Sequence, residues 1–186
     1  MNETIETIRN RRSHRKYREE QIDEAELQAI VESAIYAPSA MNQQKWHFTV
    51  VQDRAMLDKM VRTLKENLMN SGNEMMAKRA GDPGFNPFYN APTIVLITAD
   101  ENAPFTQLDC GAAAENMTLA AESLNIGSCC IAMSGFIFES ENAGELKKEL
   151  GVPEGYKHII SVALGYKENE NPPTPNKKTD VINYIH

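Results

Sequence analysis

The chain has 186 residues, 41% of them hydrophobic, with a formal net charge of −7 and an isoelectric point near 5.2. This size predicts one compact domain over residues 1–186, and the acidic balance argues against a nucleic-acid binder, which must neutralise phosphates. No apolar run approaches the roughly 20 residues needed to span a bilayer, and no signal-peptide core is present. Three cysteines without framework spacing complete the prediction of a cytoplasmic protein with reduced thiols.

The N-terminal part of the chain predicts the order helix, helix, strand, helix. Asp23 is placed to cap the second helix, and Glu26 follows three residues later in a capping-box arrangement. That helix must end near Ala37, because Pro38 disfavours the α conformation in the residue before it. The predicted elements are a helix over residues 3–10, a helix after Asp23, a strand over 46–51 and a helix that begins at Asp53.

Residues 70–90 lose this regular pattern. Gly81–Gly84 is typical of a turn, and Pro87 interrupts any regular element in the residues after it. The segment carries three aromatic residues, Phe85, Phe88 and Tyr89. Long irregular segments with aromatic side chains are typical of pocket walls and lids, but local packing against the core explains them equally well. The residues alone leave both alternatives open.

The C-terminal half predicts strands and helices separated by short turns. The run over 93–98 is short and continuously apolar, as expected of a buried strand. The next helix, over 106–124, has alanine pairs that permit close approach of another element, and Gly127 is predicted to end it. The remaining predictions are a strand over 128–132, a turn over 133–136, a helix capped by Ser140 and ending at 150, a strand over 158–164, a proline-rich extended stretch over 167–178 and strand-like alternation over 181–185.

Several common kinds of active site are absent from the sequence. The four histidines are scattered, without the spacing of a metal site. There is no G-x-S-x-G elbow of a serine hydrolase, and neither a Walker A loop nor a G-x-G-x-x-G dinucleotide fingerprint. The sequence therefore predicts no metal site and no Rossmann-type nicotinamide site.

Two basic clusters remain, at opposite ends of the chain. The first is Arg11–Lys16, which reads Arg-Arg-Ser-His-Arg-Lys, and the second is the pair Lys177 and Lys178. Arginine side chains bind phosphate through paired donors, and a serine hydroxyl adds a neutral donor. The first cluster is thus either a phosphate cradle built without a P-loop or a set of solvated surface charges.

A series of motifs along the chain is similar to one known family. Residues 11–17 read Arg-Arg-Ser-x-Arg-x-Tyr, and residues 37–48 read Ala-Pro-Ser-Ala-x-Asn-x-Gln-x-Trp-x-Phe. Together with later matches in the same order, the sequence resembles the nitroreductase family of FMN-dependent oxidoreductases. The later matches are Asn-Ala-Pro at 90–92, Asp-Cys-Gly-Ala-Ala-Ala at 109–114, Ile-Gly-Ser-Cys at 126–129 and Ala-Leu-Gly-Tyr at 163–166.

The resemblance implies an α+β fold, in which a central mixed sheet is flanked by helices and two chains form an intertwined homodimer. FMN is then expected at the subunit interface, and the tail over 167–186 is expected to be extended and to pack on the partner. The implied activity is ping-pong hydride transfer from NADH or NADPH, through flavin N5, to a nitroaromatic or quinone-type acceptor. The alternative is a flavin-binding protein of the same fold with another acceptor, or with a sensor or storage role.

The resemblance also implies the residues of the site, in which the flavin performs the chemistry and no side chain acts as a nucleophile. The phosphate and ribityl chain are expected on Arg11 and Ser13, with Arg12 assisting, and the pyrimidine edge on Arg15. His14 and Lys16 are expected to point elsewhere. The other expected cofactor contacts are Pro38, Ser39, Ala40, Asn42 and Gln44 from the partner subunit, Ser134 and Gly135 with a backbone N–H towards flavin N5, and Lys177 and Lys178 at the phosphate. The expected walls of the acceptor pocket are Phe85, Phe88, Tyr89 and Phe136.

Overall fold

The computed structural model describes residues 2–140 and 143–186 as one layered α and β structure. Two short 3₁₀ helices, Ala40–Asn42 and Met133–Phe138, lie between the longer elements. The longer elements, in chain order, are α1 (Glu3–Asn10), α2 (Glu24–Ile35), β1 (Trp46–Val51), α3 (Arg54–Met69), α4 (Glu74–Ala80), β2 (Thr93–Asp100), α5 (Thr106–Ser123), β3 (Ile126–Ile131), α6 (Ala143–Glu149) and β4 (Tyr156–Tyr166).

The four strands form a single sheet in the order β1-β2-β4-β3. Each neighbouring pair of strands is antiparallel. The parallel pairing found among the described residues is an isolated bridge between Ser13 and Ser128, beside β3. A mixed sheet was expected, but within one chain the described sheet is antiparallel, and its parallel component is this isolated bridge.

Both faces of the sheet are covered, and β2 shows this best. Successive residues of a strand point to opposite faces. Ile94 and Leu96 join a buried cluster with α3 residues such as Leu64, whereas Val95 and Ile97 join the cluster that contains α2 and α5. Because side chains on both faces are buried, β2 has the uninterrupted apolar sequence from which a buried strand was predicted.

The predicted starts of α2 and α3 are confirmed, but one detail of the capping is different. Asp23 accepts a hydrogen bond from the amide of Ala25, and Asp53 accepts one from Met56 at the start of α3. Glu26 does not turn back to the cap. Its carboxylate instead accepts a 2.6 Å hydrogen bond from the hydroxyl of Tyr166 at the end of β4. The expected capping box is thus replaced by a tie between α2 and the sheet.

The structure corrects the sequence prediction at two further places. Residues 70–90 contain a helix, α4, which begins because Asn73 accepts hydrogen bonds from the amides of Met75 and Met76. The residue after α5 with left-handed backbone is Asn125 (φ 58°), whereas Gly127 lies inside β3. A side chain at Gly127 would start 3.0 Å from the ring of His14, so close packing explains this glycine.

The first residues of the tail after β4 contact their own chain, whereas residues 181–185 are exposed. Asn171 donates to Asn10 and to the carboxylate of Glu122, and Lys167 pairs with Glu122 at 3.0 Å. Residues 181–185 form no strand, although their alternation predicted one, and their large apolar side chains are exposed. Residues 141 and 142, between Ser140 and α6, lie outside the described part. Across the described residues, no helix is both long and apolar enough to cross a membrane.

Candidate functional site

The basic cluster Arg11–Lys16 lies in an extended segment attached to the edge of the sheet. The amide of His14 donates to the carbonyl of Ser128 in β3 (2.8 Å), and the hydroxyl of Tyr17 donates back to the carbonyl of His14 (2.5 Å). Extended backbone sends alternate side chains to opposite sides. The segment therefore presents Arg11, Ser13 and Arg15 to one side.

His14 belongs to the opposite side and is buried, with 1% of its surface exposed. Within the described structure, neither of its ring nitrogens has a hydrogen-bond partner. Burial lowers the pKa of His14, because desolvation penalises the imidazolium ion. The expectation that His14 points away from the cofactor is consistent with this packing, which holds the segment against Gly127.

Arg11 and Arg15 carry the positive charge of this side. Arg11 Nε lies 3.5 Å from the carboxylate of Glu115 in α5. The guanidinium of Arg15 lies 5.6 Å from the centre of the Tyr89 ring, and a hydrogen bond with the Tyr89 side chain is the main cause of its raised pKa. Next to them, burial raises the pKa of the Cys129 thiol, although the charge of Arg15 acts in the opposite direction.

Arg12 is placed differently from the prediction. Its Nη1 donates to the carbonyls of Arg9 (2.6 Å) and Arg11 (2.7 Å), and its Nη2 contacts the hydroxyl of Thr174 in the tail. Because these groups engage the guanidinium, it is directed to the tail and not to the side of Arg11 and Ser13. Within one chain Arg12 therefore has a structural role, and its assisting role at a phosphate stays a prediction.

The loop over residues 38–44 is fixed by side chains at its base. The amide of Ala40 donates to Asp109 in α5 (3.1 Å), and the amide of Gln44 donates to the hydroxyl of Ser39 (3.1 Å). The side chain of Gln44 donates to Asn42 (3.0 Å). Left-handed backbone at Met41, Asn42 and Gln44 gives the loop its sharp turns. The loop contains the second set of predicted cofactor contacts, which are Pro38, Ser39, Ala40, Asn42 and Gln44.

This loop and Arg11 are held at different places on α5, through Asp109 and Glu115 respectively. Six residues in an α-helix correspond to a rise of about 9 Å and to a separation of about 120° around the axis. The two anchors therefore face different directions within one chain. That arrangement is consistent with the expectation that the loop serves the site of a second chain.

Ser134 and Gly135 are in the 3₁₀ helix that follows β3. The hydroxyl of Ser134 is fully buried; it donates to Ile131 O (2.6 Å) and contacts His158 Nε2 (3.0 Å). The amide of Gly135 donates to Ala132 O (3.2 Å). The Ser134 side chain is therefore internal. A backbone N–H of this pair was expected towards flavin N5, and within one chain that of Gly135 is engaged in the turn of this helix.

The four expected pocket walls do not share one environment. Phe88 is a core residue with 2% exposure, so it is not the wall that was predicted. Phe85 is partly buried under the guanidinium of Arg79, whose carbon lies 4.8 Å from the ring centre. Tyr89 and Phe136 are also partly buried, and the carbonyl of Phe136 accepts a hydrogen bond from Asn67 (2.6 Å). Tyr89 is the wall that lies beside the basic segment.

Lys177 and Lys178 are exposed residues of the extended tail. They follow Thr174, the tail residue that Arg12 contacts, and no hydrogen bond or ion pair of either lysine is found among the described residues. Their role at the phosphate stays a prediction.

A large cleft adjoins the basic segment and was not predicted from the sequence. It has a volume of about 960 Å³, and its lining includes Arg15, Tyr89, Lys16, Arg18 and Arg54. Arg18 and Arg54 belong to no motif and lie far apart in the chain, so only the fold brings them to one cleft. Lys16 belongs to the basic cluster, but it was expected to point away from the cofactor, and the structure places it in the lining of this cleft.

The structure thus combines a helix-flanked α+β sheet with an arginine-rich segment beside a cleft lined by four basic side chains, a combination suited to an anionic ligand. The nitroreductase family model matches residues 8–166. The chain belongs to the nitroreductase family, so the resemblance found from the sequence motifs is confirmed.

Solved structures of similar chains agree with this assignment. A nitroreductase with bound FMN from Bacteroides fragilis is 35% identical, with a TM-score of 0.95 and all of both chains covered. A nitroreductase with bound FMN from Desulfitobacterium hafniense is 34% identical, with a TM-score of 0.91 and the same coverage. A relative from Archaeoglobus fulgidus, provisionally named NADH dehydrogenase/NAD(P)H nitroreductase, is 34% identical over 91% of this chain and 88% of its own length.

Proposed function

We propose that the protein is a homodimeric FMN-dependent oxidoreductase, which oxidises NADH or NADPH and reduces a nitroaromatic or quinone-type acceptor. The observation that carries this proposal is the extended segment that presents Arg11, Ser13 and Arg15 to one side while His14 anchors it in the core. Similar chains from two bacteria hold FMN. Three free cysteines suit a cytoplasmic location.

The donors of this segment match the chemistry of FMN. A phosphate is bound best by charged, forked donors together with neutral hydroxyls, which Arg11 and Ser13 supply. Among the described residues, the carboxylate partner of Arg11 is Glu115 at 3.5 Å, partly exposed, so a dianionic phosphate can compete with it. These residues fit the phosphate end of the cofactor, and the exposed Lys177 and Lys178 of the tail can add charge there.

Arg15 fits the ring end of the cofactor. It lies two residues further along the same side, and Tyr89 holds its guanidinium in place. When bound, FMN supplies the two-electron redox chemistry that protein side chains lack. A fixed cation near the pyrimidine edge stabilises negative charge at that edge, which makes Arg15 an electrostatic residue and not an acid or a base. The hydride donor and the electron acceptor occupy the same pocket in turn, as is usual for a ping-pong order.

A second copy of the chain completes the site. Helix α1 packs on α5, yet Ile5 and Ile8 stay exposed, as does Leu108 on α5. Exposed apolar side chains of this kind mark interaction surfaces. We place the partner on this surface, so that residues 38–44 of one subunit, facing away from Arg11 of their own chain, reach the cofactor of the other.

The C-terminal tail also has a surface suited to a partner subunit. Residues 181–185, near the end of the chain, alternate like a strand but form no strand pairing with the described residues of their own chain. Ile185 is 92% exposed. Strand β1 is an edge of the sheet with unpaired backbone groups. We infer that residues 181–185 pack on the partner subunit.

Anaerobic mixing with reduced nicotinamide tests the function. The purified protein is expected to be yellow, with about one FMN per chain, and to bleach within seconds on addition of NADPH or NADH. Reoxidation by a nitroaromatic or a quinone then identifies the acceptor class. Colourless protein that takes up no FMN contradicts the proposal. Yellow protein that neither nucleotide bleaches indicates a flavin-binding sensor or storage protein instead.

A further inference from the structure

The 960 Å³ cleft beside the basic segment is more cationic than the rest of the molecule. Four basic side chains line it, against two acidic ones, Glu19 and Glu168. The whole chain has the opposite balance, with 26 acidic and 19 basic residues. A cleft lined mainly by one sign of charge concentrates the electric field and attracts ligands of the other sign.

The cations of this cleft are available to a ligand. Within the described structure, Lys16 Nζ has no hydrogen bond or ion pair. Arg18 and Arg54 pair with Glu20 (3.2 Å) and Asp58 (3.1 Å), and all four of these side chains are more than half exposed. Arg18 Nε also donates to the carbonyl of Lys167 (3.1 Å), which leaves its outer nitrogens for a ligand. Exposed pairs of this kind contribute little, so a phosphate group can displace them.

The cleft is continuous with the proposed cofactor site. Arg15 and Tyr89 belong to both, the first as the proposed ring contact and the second as a pocket wall. The backbone at this junction is unusual, since Tyr89 and Asn90 are consecutive left-handed residues, with φ of 57° and 56°. Non-glycine residues in this conformation cost free energy and are concentrated at functional sites. A ligand with one end at Arg15 therefore has a path towards Arg18 and Arg54.

We propose that this cleft binds the diphosphate and the phosphorylated ribose of the hydride donor, and that Lys16, Arg18 and Arg54 select NADPH over NADH. The inference rests on the proposed function. A reduced nicotinamide dinucleotide is anionic at its diphosphate, which suits the excess of basic side chains in the cleft. NADPH differs from NADH by one phosphate group with a charge of about −1.5 to −2, so an excess of cations favours it. The sequence motifs contained no signal for this choice.

The test compares donors that share the nicotinamide but differ in phosphate. Holoenzyme with Arg18→Gln and Arg54→Gln is assayed with NADPH, NADH and the phosphate-free donor N-benzyl-dihydronicotinamide. Each substitution is expected to raise KM for NADPH about three- to fivefold, and the double variant to bring the NADPH and NADH efficiencies close together. Kinetics with the phosphate-free donor, and the FMN content, are expected to stay unchanged.

Two control variants separate charge from structure. Arg62→Gln removes a cation from the exposed side of the same helix, α3, outside this cleft, and is expected to leave KM for NADPH unchanged. The double variant Arg18→Lys with Arg54→Lys keeps the charge but loses the forked donors, so KM for NADPH is expected to lie between that of the unmodified protein and that of the double Gln variant.

Calorimetric binding of adenosine 2′,5′-bisphosphate to the holoenzyme gives a readout independent of turnover. Binding is expected to be weaker in the double Gln variant and tighter than that of inorganic phosphate or ADP in the unmodified protein. Equal affinity for inorganic phosphate indicates a simple anion site and overturns the inference. Loss of FMN in the double variant, or an equal change with all three donors, also overturns it, because the cleft then belongs to the flavin site. Protein that never binds FMN rejects the proposed function instead.

Discussion

The imidazole of His158 joins β4 to the segment after β3, because its Nε2 lies 3.0 Å from the buried hydroxyl of Ser134. The same nitrogen is 2.9 Å from Ser161 Oγ. Ser134 donates its own proton to the carbonyl of Ile131 (2.6 Å), so it accepts from His158 only when Nε2 carries a proton. The other ring nitrogen faces Gly135, where an added Cβ would lie 3.3 Å from Nδ1. His158 therefore supports the segment that contains two predicted cofactor contacts.

Replacing this imidazole is expected to destabilise the protein. His158→Phe leaves the hydroxyls of Ser134 and Ser161 buried next to an apolar ring, which costs about 1–3 kcal/mol of the free energy of unfolding. Urea unfolding curves measure the loss. Lys157→Ala, an exposed neighbour on β4, is the matched control and is expected to change stability by less than about 0.5 kcal/mol. A His158→Phe variant as stable as the unmodified protein would show that the contacts contribute nothing.

The pH dependence of stability depends on the same residue. Burial lowers the pKa of His158 from 6.5 to about 4 in the folded state, so between these values the unfolded chain binds more protons. Stability is therefore lost as pH falls through this window, by at most about 1.4 kcal/mol per pH unit for one proton. His14, whose pKa burial also lowers, acts in the same direction. Unfolding at several pH values should show a smaller slope for His158→Phe; an identical slope contradicts the assignment.

Gly165 is predicted to reject any side chain. A Cβ at this position would lie 2.8 Å from Pro92 Cδ and 3.0 Å from the ring of Tyr17. Gly165→Ala must displace the segment that carries Arg15, with an expected cost of about 1–3 kcal/mol and weaker FMN retention. Gly144→Ala, where nothing lies within 4 Å, is the control and is expected to stabilise α6 slightly. Thermal unfolding of both variants shows whether the loss of stability comes from the lack of space at Gly165 or from a general intolerance of alanine.

Neighbouring arginines are expected to respond differently to truncation. Arg11→Ala removes a charged donor from the proposed phosphate site, which corresponds to about 1.5–3 kcal/mol, or roughly a 10- to 150-fold weaker FMN affinity. Arg12→Ala instead frees the tail at Thr174, so FMN affinity is expected to stay within about threefold while hydrogen exchange near Thr174 increases. Fluorescence titration of apoprotein with FMN measures both affinities. If Arg12→Ala is the more damaging of the two, the phosphate lies on the Arg12 side.

Removing residues 179–186 tests the proposed role of the tail. The exposed apolar side chains from Val181 to Ile185 leave with them, and we expect a weaker dimer and faster FMN loss, because a partner contact is removed. Light scattering after size-exclusion chromatography measures the assembly. In contrast, changing Lys177 and Lys178 to Gln is expected to preserve the dimer and to reduce FMN affinity alone. A truncated protein that stays fully dimeric and retains FMN contradicts the inferred packing.

Most of the fold was predictable from local patterns. The start of α3 at Asp53, the apolar run of β2 and the cap at Asp23 each depend on residues close in sequence, and each prediction is confirmed. Helix α4 was missed because it has only seven residues and lies between turns. The strand predicted over 181–185 is absent because a strand needs a partner, and none lies within reach among the described residues of its own chain.

The sequence by itself determined the family, the order of the motifs and the cationic character of residues 11–16, since these reside in residue identity and spacing. Only the tertiary structure decided which cations face the site. The bridge of Ser13 to Ser128 sets the alternation that buries His14 and turns Arg12 to the tail. The fold also buries Phe88 and brings Arg18 and Arg54 to one cleft. These outcomes depend on contacts between residues far apart in the chain, and no local pattern encodes them.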